Sequence, residues 1–408
     1  MSANNTAGKY EMTDDAAFNE KLNGLQRKGL IVGGVAALLL VLGLLFSPVS
    51  HLFQGFFFGY IFWVSITIGC IPLAMIHYLF GGAWGASILR ILETGMRTLP
   101  LMMLLFIPVL IGLPYTHIWA NHDLLAQPEH AGVAHFVELK TAYLNVPFFI
   151  VRTLVYFAIW SALSYFLRKW SAQLDVTRDP GITLNLKRLS GAGMVFFVVS
   201  ITFAAFDWLM SITPEWFSGI YGAIIGIGMT LEAFAFTVLL MVVFSRRAPY
   251  SNIMSRKLFG DYGNLLLALV MIWTYVNLSQ LIIIWSANLP EETPWYLHRV
   301  EGAWRVFPFI LGIFHFFVPF LLLLSAEVRR SASALFKIAI LLLVMRFLDL
   351  YWLIVPGFER HGFPVYWQDV VGFACVGGLW LAFFIRQLKS TALVAEGNPS
   401  LSEVYEHA

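Results

Sequence analysis

Ten apolar runs divide this chain of 408 residues. Most are about 18 residues or longer, the length at which a helix crosses the hydrocarbon of a bilayer. They fall at 29–46, 52–79, 98–119, 143–167, 189–212, 216–244, 262–286, 303–326, 334–355 and 370–385. The runs are continuously apolar and not alternating, so they read as helices and not as strands of a barrel. Composition points the same way. Charged residues make up 12% and hydrophobic ones 59%, with a mean hydropathy of +0.75, whereas a soluble domain is about a quarter charged. Too few polar residues are present to cover a water-facing surface.

The net charge of +2 gives no reason to expect a nucleic-acid partner. The two cysteines, Cys70 and Cys375, both lie inside apolar runs. That excludes a disulfide framework, a CxxC or CxxCH cofactor site, and a Cys-ligated iron–sulfur cluster carried by this chain alone. Mixed charge precedes the first run, with Glu11, Asp14, Asp15 and Glu20 set against Lys9, Lys21, Arg27 and Lys28. It therefore reads as a retained helix and not as a cleaved leader. With the N-terminus in the cytoplasm, 20 of the 26 Lys and Arg residues fall on the inner side, as the positive-inside rule requires. An even number of spans then puts both termini in the cytoplasm. The longest outer loop, 120–142, carries His122, His130 and His135. Their spacing matches no metal-ligand pattern, and a solvated loop is the reading adopted.

The chain repeats itself. Val146-Pro147-Phe148-Phe149-Ile150 in span four returns as Phe307-Pro308-Phe309-Ile310-Leu311 in span eight, an offset of 161, and Tyr60 matches Tyr221 at that same offset. Asp207 in span five and Asp349 in span nine each precede, by the same interval, a proline and then an aromatic residue (Pro214 with Trp216, Pro356 with Phe358). Spans two to five and six to nine thus read as two copies of a four-helix unit, parallel because each copy holds an even number of helices. The fold expected is an all-α polytopic membrane protein. It comprises a cytoplasmic tail at 1–28, a flanking helix at 29–46, bundles at 52–212 and 214–356, a last flanking helix at 368–386 and a second cytoplasmic tail at 387–408.

An ionisable group near the bilayer centre costs about 2.5–3.5 kcal/mol on insertion scales, so each calls for a partner or a task. Glu232 and His315 lie near the middle of spans six and eight. Asp207, in the outer part of span five, and Asp349 and Arg346, in the corresponding span nine, also lie in the apolar zone. Arg346 and Asp349 are spaced i,i+3 and can pair on one helix face. Asp207, Glu232 and His315 have no counter-charge nearby in sequence. Arg152 and Arg305, near the outer ends of spans four and eight, can snorkel or reach the aspartates. Carboxylates and histidine exchange protons readily, so the five residues are candidates for a proton path or for the polar wall of a quinone pocket. The competing reading makes them ties between helices. His77 and His117 fall at span ends and read as interfacial, and Glu93 with Arg97 reads as an i,i+4 surface pair. Haem ligation by His315 lacks a second central histidine. Gly81-Gly82-Ala83-Trp84-Gly85 has no strand before it and is not a nucleotide loop.

Phe206-Asp207-Trp208-Leu209-Met210-Ser211, the Gly81–Gly85 segment, Arg97-Thr98-Leu99-Pro100, and Gly302-Ala303-Trp304-Arg305 with His315-Phe316 carry a resemblance. From about residue 20 to 390 the chain resembles the polysulfide-reductase-type (NrfD-like) membrane subunits of alternative complex III, the bacterial quinol:electron-acceptor oxidoreductase, and the second of its two such subunits in particular. The resemblance implies a place in the bacterial inner membrane beside a sister NrfD-like subunit, an iron–sulfur/molybdopterin-like periplasmic subunit, c-type cytochrome subunits and membrane lipids. Haem and iron–sulfur clusters would reside in those partners. Menaquinol or another quinol would be oxidised to its quinone (menaquinone in the first case) chiefly at the sister chain, and this chain would supply structure and a proton route through Asp207, Glu232, His315 and Asp349. Two alternatives stand against that expectation: an ion-coupled secondary transporter, and a purely structural anchor.

Overall fold

Backbone N–H and C=O groups in hydrocarbon must find partners within their own segment. In the computed structural model, which describes residues 16–358 and 365–406, they do so in helices, with no strand among the described residues. Ten helices are long and apolar enough to cross a membrane: Phe18–Gly43, Val49–Phe80, Ala83–Ile111, Val146–Thr177, Pro180–Ile212, Tyr221–Phe244, Arg256–Ala287, Gly302–Leu324, Ala332–Phe358 and Trp367–Lys389. They are numbered as spans one to ten below. The chain is an all-α, multi-pass membrane protein.

Several boundaries differ from those the hydropathy predicts, each for a local reason. The first helix begins at Ala16, ahead of the apolar run, because good helix formers such as Glu20, Lys21 and Gln26 extend it outward. Residues 1–15 and Arg360 lie outside the described residues. Span three starts at Ala83 and not at 98. It is built of two helices, Ala83–Met96 and Leu99–Ile111, and the break falls where Pro100 removes a backbone donor and crowds the preceding turn. Gly81 (φ 72°) and Gly82 (φ 96°) turn the chain from span two into span three, in backbone conformations that only glycine adopts freely. Span eight contains a π-helical stretch, Leu311–Phe317. Pro319 cannot donate to the carbonyl of His315, and the slipped register absorbs that mismatch.

Span two is the axis of the molecule, 94% of its apolar window being buried. It crosses span six where Gly69 lies so near Met229 that a Cβ would overlap the Met229 carbonyl oxygen. Small residues let helix backbones approach where lipid supplies no hydrophobic drive. The same device joins spans one and ten, where a Cβ on Gly29 would stand 2.9 Å from the Gly378 oxygen. The two ends of the chain meet on one side of the bundle, Lys389 Nζ donating to Asn23 Oδ1 at 2.6 Å; this is called the terminal side below.

Residues 390–406 are not a free tail. They fold across the terminal side and bury Leu393, Val394, Ala395, Leu401 and Val404. Gly397 N donates to Asp175 Oδ1 at 2.9 Å, Tyr250 Oη donates to the Leu393 carbonyl at 2.8 Å, and Asn398 meets His77 Nε2 at 2.8 Å.

Candidate functional site

Two sets of buried charges lie in the bundle, one on spans four and five and the other on spans six to nine, and they differ in how completely they are satisfied. In the first set, Asn145 caps span four by accepting from Phe148 N, with Pro147 in the first turn. This start places Arg152 facing span five. Arg152 Nε and Nη2 donate to the two oxygens of Asp207 at 2.8 and 3.0 Å, and Nη1 donates to the Tyr143 carbonyl at 2.8 Å. The guanidinium packs against the rings of Tyr143 and Phe148, 3.8 and 4.3 Å from their centroids. Tyr156 Oη donates to Asp207 Oδ2 at 2.6 Å. The carboxylate is fully buried, yet it has a bidentate cation and a hydroxyl donor, the geometry in which a buried ion pair is best compensated. Asp207 thus gains a counter-charge that its sequence neighbourhood does not contain. Arg305, the other arginine able to reach an aspartate, stays exposed at the end of span eight.

Tyr156 is four residues beyond Arg152 and so shares its face. Tyr156→Phe is expected to cost about 1.5–3 kcal/mol, the range for a hydrogen bond to a charged group. A lowered thermal midpoint of the detergent-solubilised protein would report it; an unchanged midpoint would show that the hydroxyl contributes nothing.

The second set is organised otherwise. Arg346 pairs directly with Asp349 one turn along span nine, and its Nε stands 3.7 Å from Glu232 Oε2 of span six. Gly228 makes room for the guanidinium, since a Cβ there would come within 2.6 Å of it. Trp273 of span seven donates from Nε1 to Asp349 Oδ2 at 3.1 Å, and its ring lies 3.7 Å from the ring of His315. The π-helical stretch turns His315 fully inward while Ile313, Phe314 and Phe317 stay exposed. Four of the five sequence candidates, Glu232, His315, Arg346 and Asp349, therefore come together, and Asp207 belongs to a separate set. Asp207 and Asp349 are paired from different helices, Asp207 by Arg152 of span four and Asp349 by Arg346 of its own span nine.

This second cluster is unbalanced. One guanidinium faces two carboxylates, and both oxygens of Glu232, both nitrogens of His315, and Arg346 Nε and Nη2 lack a hydrogen-bond partner. Native structures rarely leave buried polar atoms so unpaired. A net charge in such surroundings is costly, and the set becomes neutral when it holds one proton. Glu232, the carboxylate without a donor, is placed to take it. Chemically, the cluster can accept one proton and become neutral, and on releasing it the excess negative charge stays beside Arg346.

Three sequence readings need correction. Glu93 and Arg97 are not a surface pair. Glu93 is 1% exposed and binds Arg90, which also binds Asp175 of span four, because span three begins early enough to carry this turn inside. His77 is not interfacial but is covered by the chain after Lys389. His117 is likewise buried, its Nε2 at 3.2 Å from the Trp208 carbonyl and its Nδ1 at 2.9 Å from Thr116 Oγ1. Burial pushes its pKa down to about 4. The neutral ring then donates from Nε2 to the carbonyl and accepts from Thr116. Sequence reading missed Trp273 and Tyr143, whose ring and backbone roles leave no mark in hydropathy. Among the described residues no group of three or more His, Cys, Asp or Glu side chains is placed to hold a metal ion. No protein-family model matches the chain, and no curated protein matches it.

Proposed function

We propose that this chain is the second NrfD-like membrane subunit of a quinol:electron-acceptor oxidoreductase of the alternative complex III type, and that it relays protons for that complex and carries no redox centre. On this reading it resides in the bacterial inner membrane with both termini in the cytoplasm. Its neighbours are a sister NrfD-like subunit, an iron–sulfur/molybdopterin-like periplasmic subunit and c-type cytochromes, and those partners hold the haem and the clusters. The observation that carries the proposal is the under-satisfied set of Glu232, Arg346, Asp349 and His315 in the middle of an apolar bundle. Quinol oxidation releases protons, and a one-proton carboxylate held beside a permanent cation is a group suited to receiving and passing them.

The structural-anchor reading has its own support in the Arg152–Asp207–Tyr156 set, where every strong donor is used. A carrier is less well supported. Broken helices in many carriers occupy corresponding positions of the two repeats. Here the interruptions lie in spans three and eight, the second helix of one unit and the third of the other.

Glu232→Gln in the assembled complex provides the test, since the amide keeps the shape but cannot take or give the proton. Quinol-dependent proton release is expected to slow by about a hundredfold, the usual worth of a positioned acid–base group, while the complex still assembles. Unchanged proton release would leave only the anchor role.

A further inference from the structure

A cleft of about 450 Å³ opens on the terminal side, where span seven begins and span eight ends. Arg256, Lys257, Ala326, Glu327 and Arg330 line it. We propose that it binds the phosphodiester headgroup of an anionic phospholipid, seated between the two spans. Such a site needs only the membrane-spanning fold and is independent of the quinol reading above.

The two arginines of the cleft are not neutralised. Neither guanidinium has a hydrogen-bond or ion-pair partner among the described residues, whereas Arg90, toward the same side, binds both Glu93 and Asp175. Glu327 shares the cleft yet pairs with neither of them. The cations are also held in place. Gly260 leaves room for the stem of Arg330, since a Cβ there would stand 3.3 Å from its Cγ. The neighbouring Arg329 turns away, its Nη1 donating to the Leu324 carbonyl at 3.1 Å. Arg256 lies one turn before Gly260 and shares its face, so the first turn of span seven carries one guanidinium and the next receives the other. Like charges gathered in this way repel each other. A phosphate accepts from guanidinium groups in a two-pronged fit, and the positive end of the span seven helix dipole adds to the attraction. Leu321, Leu322 and Leu324, just ahead of Ala326 on span eight, are exposed. Acyl chains would run along them while the phosphate stays at the depth where basic groups draw anionic lipids.

The test is photolabelling of the full chain in phosphatidylcholine nanodiscs with a phosphatidylglycerol that carries a diazirine beside its phosphate, followed by peptide mapping. Label is expected in 254–265 and 321–331, displaced by excess phosphatidylglycerol and not by inorganic phosphate. Arg256→Gln combined with Arg330→Gln is expected to cut that labelling by about tenfold, each cation near a bilayer surface being worth about fivefold. Lys187→Gln combined with Arg188→Gln removes two exposed cations from the same side but outside the cleft, and is expected to leave the labelling unchanged. Should the arginine variant fail to fold, Glu327→Gln is the second probe. It removes the only carboxylate among the described lining residues and is expected to raise labelling by about fivefold. Label found only elsewhere, displacement by inorganic phosphate, or an equal loss in the Lys187 and Arg188 control overturns the proposal. So does labelling that the arginine variant does not lower or that Glu327→Gln does not raise.

Discussion

Arg346→Met is expected to prevent the protein from accumulating in folded form. Among the described residues Arg346 is the one cation within ion-pair reach of both Asp349 and Glu232, and all three are buried to within 1%. Without it, two carboxylates remain in an apolar bundle and must take up protons or stay charged beside each other. Removing one partner of a buried pair costs about 3–5 kcal/mol, a large share of the roughly 5–15 kcal/mol that holds a typical fold. Replacing both partners with apolar groups is far milder, so Arg346→Met combined with Asp349→Leu is expected to recover most of the yield and stability, though not proton release. The readouts are yield and thermal midpoint in detergent. A single variant as stable as the parent would mean that the guanidinium does not hold the cluster together.

The second large effect is expected at Gly69→Val. The added side chain has nowhere to go, because a Cβ at that position already overlaps the carbonyl of Met229 on span six. Spans two and six would have to part along their crossing, and span two is the most deeply buried helix of the molecule. Overpacking costs typically 1–3 kcal/mol and sometimes more; displacement of two backbones belongs at the upper end. Gly34→Val is the control. It makes the same chemical change within a span, but no atom lies within 4 Å of the Cβ it would add, and it is expected to shift the midpoint little. Equal effects at the two sites would show that helix propensity, and not the close crossing, is what the first substitution disturbs.

The helical class and the count of spans were legible because hydropathy integrates over a whole crossing and tolerates local error. Boundaries were less so. The start of span three depends on a buried turn around Arg90 and Glu93 whose charges depress the local hydropathy, although their partner Asp175 lies on another helix. The same limit governs the candidate site. Arg346 and Asp349 share a helix, so their pairing follows from spacing alone. Arg152 and Asp207 lie 55 residues apart, and only the packing of spans four and five joins them. Glu232 reaches Arg346 across a helix interface, and His315 faces it because Pro319 forces a slipped turn. Tertiary packing decided these contacts, and no periodicity of one helix encodes them. His77 and His117 show the converse error, since a position at the end of a hydrophobic run says nothing about what later folds over it.

The chain beyond Lys389 has a consequence for the order of assembly. Its groove is built from spans two, three and four, with Tyr250 of the 245–255 turn at its edge. Those walls leave the ribosome before the segment that seals them does. Until translation has passed all ten crossings, the imidazole of His77 lacks Asn398 and the carboxylate of Asp175 has Arg90 but not Gly397, so the terminal side closes only after the tenth span has been made.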